Sequence, residues 1–338
     1  MPRSIHRCAT RDRQRSGALR RVRASDEVNA PPPPASAALF QPARSAGETG
    51  DRFAEGRPGS AWRLIGATFF ENKLARVGFV FMILEIGFCF IGPLVYRTNQ
   101  FQSSVFINLA PSSQHPLGTD NNGFDILGRL MTGGRVSLEI SFGVAVCSTV
   151  LGMLWGAISG FAGGRIDGVM SRLLDVFISI PPLFVFIYLA TVYRPTLLLL
   201  ILVLSGLSWL VPARLVRGET LALRTREYVQ AAQLMGGQST GIMRRHIFHN
   251  VIGTIVVSAT FQITNAILVL ATLDFFGFGL PPPTPTWGGM LSNGINYLYD
   301  GYWWQIYPEA ALIVCTVVAI SFIGDALRDA FDVRLQRR

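Results

Sequence analysis

Residues 226–250 read REYVQAAQLMGGQSTGIMRRHIFHN, a polar, arginine-bearing and helix-forming stretch set between two long apolar runs. Tyr228 to Met235 consists mostly of good helix formers, and Gly236-Gly237 then interrupts them. Ser239 or Thr240 is placed to N-cap a second short helix running through Met243 to Phe248. The expectation is two short helices joined by a glycine turn. Ala231-Ala232 gives the first helix a small face that another protein can approach closely. Arg226, Arg244 and Arg245 beside it can fix orientation through charge-assisted hydrogen bonds. Held between apolar runs, such a stretch reads as a docking element between membrane spans; the plainer alternative is a solvated loop.

Outward from this stretch, half of the chain is hydrophobic and 15% is charged. The apolar residues gather in runs of about twenty instead of alternating, which is the pattern of membrane helices. A net charge of +9 would suggest nucleic acid in a soluble protein, but most arginines fall in segments that the spans place on one side, so a lipid bilayer explains them better. Cys89, Cys147 and Cys315 lie inside apolar runs and Cys8 lies near the start, so neither a disulfide framework nor a zinc spacing exists.

In chain order, residues 1–62 are rich in Arg, Ala, Ser and Pro, include the run Pro31 to Pro34 and show no apolar period; they are expected to be disordered. The remainder, 63–338, is expected to form one membrane domain with spans at about 78–95, 138–161, 176–193, 196–211, 252–275 and 307–323. Glu85 lies in the first span and should face partner helices or water, because a carboxylate in hydrocarbon is costly. The polar segment 97–136 contains Asp120, Asn121, Asn122 and Asp125 but lacks the ligand order of a calcium loop. Gly152, Gly156 and Gly160 recur every fourth residue, leaving one helix face without side chains so that another backbone can approach. Arg165 and Arg172 mark a short loop, and Pro181-Pro182 should bend the third span. Gln262, Thr264 and Asn265 interrupt the fifth span with polar groups; they are candidates for a translocation pathway, with interhelical hydrogen bonding as the alternative. Gly277 to Met290 is too dense in glycine and proline to be regular helix or sheet.

With a cytoplasmic N-terminus, six spans leave the 2–3 loop, the 4–5 loop and both termini inside. Six arginines from Arg214 to Arg245 and four from Arg328 onward then face the cytoplasm, whereas the loop between spans five and six has no Lys or Arg. No phosphate-binding P-loop is available, because the single lysine, Lys73, stands in the context ENKLA. No metalloprotease or nucleophile-elbow motif is present, and His246 and His249 lack further ligands, so no metal, cofactor or catalytic residue is expected in this chain.

The order Glu227-Tyr228-Val229, Ala231-Ala232, Gly236, Ile242, Arg245-His246-Ile247 and Asn250 resembles the EAA loop of ABC-importer permeases, in the version carried by the dipeptide, oligopeptide and nickel permease family. Gln230 stands where that family usually has Glu, and His249 where it usually has Pro. The string from His115 to Leu138 resembles the family's GTD-x-x-G-x-D segment, with Phe124 in place of the usual Arg, and Gly277 to Met290 resembles its loop after span five. The ending GDALRDAFDVRLQRR is also family-like, with Glu309 further up the last span in place of Gly.

The resemblance implies an all-α membrane protein of six transmembrane helices, with a cytoplasmic coupling helix between spans four and five. It further implies a bacterial inner-membrane location, a second homologous permease subunit, two ABC ATPase subunits that bind the ATP and magnesium, and an extracytoplasmic solute-binding protein. Arg226, Glu227, Tyr228, Gln230, Ala231, Ala232, Gly236, Ser239, Arg245, His246 and Asn250 would then meet the ATPase. The solute would be a peptide, with nickel chelates and glutathione as alternatives within the family. The rivals are an ion-coupled secondary transporter using Glu85 and Glu309, against which stands the lack of an internal repeat, and a membrane enzyme, which has no catalytic set.

Overall fold

The computed structural model describes residues 66–98, 100 and 104–336, with side chains up to Phe331; the segment 1–62 lies outside the described residues. The helices are α1 (Lys73–Phe90), α2 (Gly92–Val95), α3 (Ile126–Ala162), α4 (Gly164–Ser179), α5 (Pro182–Val192), α6 (Leu197–Ser208) and α7 (Leu210–Arg224). They continue as α8 (Glu227–Leu234), α9 (Ser239–Ile242), a π-helical turn (Met243–Ile247), α10 (Phe248–Phe275), α11 (Trp287–Ile295), a 3₁₀ turn (Trp303–Gln305) and α12 (Tyr307–Gln336). Four stretches, Lys73–Val95, Ile126–Ala162, Ser239–Phe275 and Trp303–Phe331, are long and apolar enough to cross a bilayer, and two bent helix pairs bring the number to six if each pair is one span. This is an all-α membrane protein.

Both bends have a proline at their root. α4 and α5 meet at 73° across Pro181-Pro182, where proline removes amide donors and clashes with the preceding turn. α6 and α7 meet at 42°. Pro212, two residues into α7, cannot donate to the carbonyl of Ser208 four residues back. Gln262 of α10 supplies the missing donor, its Nε2 lying 2.5 Å from the Ser208 oxygen. The buried amide therefore satisfies a carbonyl that the bend sets free.

The glycines at 152, 156 and 160 form a backbone-to-backbone helix contact. A Cβ built on Gly156 would sit 2.5 Å from the Ala213 oxygen and 2.8 Å from the Arg217 nitrogen, and one on Gly160 would sit 2.9 Å from the Arg217 oxygen. The α3 and α7 backbones thus lie directly against each other, as helices do where small residues replace side-chain bulk. α4 is clamped to the same seam: Arg217 donates from Nε (2.6 Å) and Nη2 (2.7 Å) to Asp167, which also accepts from Ser159 Oγ of α3 at 2.6 Å. On the neighbouring turn, Arg214 pairs with Asp175 at 2.5 Å.

Several boundaries differ from expectation. Residues 164–175, expected as a loop marked by Arg165 and Arg172, are helical; the chain turns at Gly163 (φ 65) and Asp167 sits in the first turn of α4. α3 starts at Ile126, twelve residues before its apolar run at Leu138, because Asp125 accepts from the Gly128 amide and caps it. Within 277–290, Trp287 to Met290 belong to α11, since Thr286 accepts from the Gly289 amide. Trp287 then buries its ring against α3, donating from Nε1 to the Leu130 oxygen at 3.1 Å. Glu85 of α1 is buried against α12 and accepts from Thr316, so its partner is in this same chain.

The ends of α3 and α12 away from residues 226–250 are capped by the segment 104–125. Thr119 donates from Oγ1 to the Phe106 oxygen (2.7 Å) and accepts from the Leu109 amide (2.8 Å), while its carbonyl takes Trp304 Nε1 at 3.3 Å. Asp125 accepts from Tyr96 Oη at 3.0 Å and lies 2.8 Å from His115 Nδ1. Burial, with the Asp125 carboxylate beside it, pushes the Tyr96 hydroxyl up to about 12, so it remains a donor. Asp120 accepts from the amides of Asn122 (2.9 Å) and Phe124 (2.8 Å) and faces Arg129 Nη1 at 3.5 Å; burial raises its carboxyl against those partners. Phe124, where Arg was the familiar residue, carries the Arg129 guanidinium over its ring at 4.3 Å.

Candidate functional site

The stretch 226–250 folds as one helix, a glycine turn and the start of the next membrane helix. α8 begins after Arg226, whose backbone is extended, with Glu227 in the first turn where a carboxylate suits the helix dipole. Of α8 only Val229 is buried, so Tyr228, Gln230, Ala231, Gln233 and Leu234 face outward and Ala232 is half-buried. The turn is closed by the Gly236 amide to the Gln233 oxygen (3.1 Å) and the Gly237 amide to the Ala232 oxygen (3.0 Å), with Gly236 at φ 80. Leu234 and Met235 stand at its tip, 90% and 81% exposed.

The expected N-cap at Ser239 or Thr240 is not what the chain adopts. Gln238 occupies the cap position with no side-chain bond, and Ser239 is the first residue of α9. The expected short second helix through Phe248 is likewise the front end of a continuous helical run, 239–275, which passes through a π turn at Met243–Ile247. Continuity with a membrane helix supplies the stability that a side-chain cap would otherwise give. Ile247 and Val251 are fully buried against Ala157 of α3 and Val216 of α7, which fixes the run to the glycine seam.

A second tie crosses the turn. Asn250 donates from Nδ2 to the His246 carbonyl at 2.6 Å and to Tyr228 Oη at 3.3 Å, and the Tyr228 and His246 rings lie 5.9 Å apart. Tyr228, His246 and Asn250 therefore hold α8 to the base of α10. Arg226, Arg244 and Arg245 are exposed, as are Gln230 and Ser239, and Gln230 makes one long bond, from Nε2 to the Thr225 oxygen at 3.4 Å. Glu219 and Thr254 hydrogen-bond between α7 and α10 just beneath. The outward face is polar and cationic, with two apolar side chains at its tip and a rigid seam behind it.

The polar trio of α10 is divided among three environments. Gln262 is committed to the Ser208 carbonyl, Thr264 Oγ1 is buried without a partner, and Asn265 is exposed. Pro212 four residues after Ser208 was the sequence signal for the first of these. No group of three or more His, Cys, Asp or Glu is placed to hold a metal among the described residues.

Comparison with known proteins decides the family. Residues 152–337, the part that carries the glycine seam, the outward face and the last two long helices, match the family described as binding-protein-dependent transport system inner membrane component. The chain belongs to this permease family. Residues 60–111 match the N-terminal TM domain of oligopeptide transport permease C. The oligopeptide transport system permease protein OppC of Bacillus subtilis (strain 168) is 34% identical over 300 residues, covering 88% of this chain and 98% of that protein. The dipeptide transport system permease protein DppC of the same organism is 34% identical over 278 residues, 82% of this chain and 86% of its own length. OppC of Escherichia coli (strain K12) is 36% identical over 281 residues, 82% of this chain and 92% of its own. The permease is thus a multi-pass inner-membrane subunit of an ABC importer, with ATP hydrolysis on separate subunits.

Proposed function

We propose that this permease forms half of the translocation route for peptides and is driven through residues 226–250 by a cytoplasmic ATPase. The observation that carries the reading is the outward face of α8 and its turn. An isolated eight-residue helix is marginal in water, yet here it buries Val229 and is tied by the Tyr228–Asn250 bond to the base of α10, where Ile247 packs into the seam between α3 and α7. A push on Leu234 or Met235 therefore moves two membrane helices together. The peptide solute is argued from the names of the relatives, which are oligopeptide and dipeptide permeases. A second permease subunit, two ATPase subunits and an extracytoplasmic binding protein complete the importer, with both termini and α8 on the cytoplasmic side, where the arginines from Arg214 to Arg245 lie.

Single cysteines at Leu234 and Ser239 in the assembled importer test this. Each is expected to cross-link to an ATPase subunit and to be protected from a membrane-impermeant reagent added outside. Outside labelling of either position, or cross-linking only to other proteins, sinks the reading.

Gln230 offers a milder test. Its bond to the Thr225 carbonyl is long and exposed, so Gln230→Glu costs little in the fold while adding a charge to the outward face. ATPase stimulation is expected to be unchanged or higher, measured as solute-dependent hydrolysis in proteoliposomes. A collapse of stimulation would mean that the neutral side chain is matched to its own ATPase.

A further inference from the structure

At the end of the bundle away from α8, a small cavity lies among Asp120, Arg129, Met290, Asn293, Gln305 and Glu309. Its charges do not balance. Asp120 takes Arg129 as its ion-pair partner, at 3.5 Å, and the two backbone amides at Asn122 and Phe124 besides. Glu309, only 1% exposed, has no Lys or Arg nitrogen within ion-pair distance among the described residues, and its Oε2 has no hydrogen-bond partner. Gln305 Nε2 is already used by Asn108 Oδ1 (2.8 Å) and the Thr119 carbonyl (3.4 Å). Two carboxylates against one guanidinium leave one negative charge inside, and a buried charge persists only when it is paired.

We propose that this cavity binds a compact monovalent cation, with Glu309 as its counter-ion and the exposed Asn293 at its mouth. One uncompensated carboxylate matches a single positive charge, and two carboxylates without His or Cys are too few for a divalent metal cage. Sodium and an ammonium group share this chemistry. The second is what the amino terminus of a peptide presents, so that source rests on the peptide reading and the site itself does not.

The test is the thermal midpoint of the purified importer in sodium chloride, methylammonium chloride or N-methylglucamine chloride at equal ionic strength. A compact cation that occupies the site stabilises the folded state by mass action, and a rise of about 2–4 °C over N-methylglucamine is expected. A rise with sodium alone assigns an inorganic ion, one with methylammonium alone assigns an ammonium end, and one with both assigns a site selective for small positive charge. Glu309→Gln, nearly isosteric, is expected to abolish the rise; should that variant fail to assemble, Asn293→Leu at the mouth is expected to do the same. No rise with either compact cation, or a rise that survives these substitutions, overturns the proposal and leaves Glu309 as a protonated acid. Because the readout needs no transport, its failure leaves the peptide-import reading intact.

Discussion

Gly156→Leu is expected to pry α7 off α3 and to lower the stability of the permease by about 3 kcal/mol, the upper end of what overpacking ordinarily costs. The magnitude follows from what the new side chain meets. The first carbon alone would come within 2.5 Å of the Ala213 oxygen and 2.8 Å of the Arg217 nitrogen, which are backbone atoms that no rotamer change can move. Displacing Arg217 also loosens its paired bonds to Asp167, and with them the attachment of α4. The measurement is the unfolding midpoint and the yield of assembled importer in detergent. Gly218 of α7 is the internal control: a Cβ there meets nothing within 4 Å, so Gly218→Ala is expected to be neutral or to stabilise by up to about 1 kcal/mol. A Gly156→Leu protein with an unchanged midpoint would show that the seam opens freely.

Gly236→Asp is expected to cut uptake and ATPase stimulation at least about tenfold, equivalent to 1.4 kcal/mol of lost coupling, while the protein reaches the membrane at its normal level. Gly236 sits at φ 80, a conformation that costs most residues about 1–2 kcal/mol and Asp or Asn less. Nothing lies within 4 Å of a Cβ there, so the added carboxylate projects outward beside Leu234 and Met235, into the face proposed above to meet the ATPase. Gly236→Asn separates charge from backbone, since it has the same shape and no charge. It should keep most activity. Equal losses in both variants would instead locate the effect in the turn, and normal uptake by Gly236→Asp would remove the docking proposal altogether.

Much of this architecture was legible because it depends on steric rules that act locally. The spacing of Gly152, Gly156 and Gly160 announced a backbone-to-backbone contact, and the structure supplies α7 as the partner. Pro181-Pro182 announced a bend and the angle is 73°. What escaped was set by partners remote in sequence or by caps that outweigh composition. Gln262 reads as a polar interruption until Ser208, 54 residues earlier, is recognised as lacking a donor because of Pro212. Trp287 to Met290 look irregular among glycines and prolines, yet the Thr286 cap and the burial of Trp287 against α3 hold them helical. Ser239 looks like a cap, but the helix it would cap is the leading turn of α10's own run, held from behind by Ile247. The outward face of 226–250 was readable as exposed and cationic; that Tyr228 and Asn250 close it into one unit was not, because their bond spans 22 residues.

The π turn at Met243–Ile247 has a consequence for chain length. Such a turn absorbs one residue more than an α turn while leaving what flanks it aligned, so trimming a single residue from it only restores ordinary pitch, whereas trimming one from the α-helical part of α10 rotates everything before it by about 100° around the helix axis. Leu234 and Met235 would then swing away from the side they now face. A one-residue deletion in the π turn therefore keeps the aim of this tip, whereas the same deletion farther along α10 changes it.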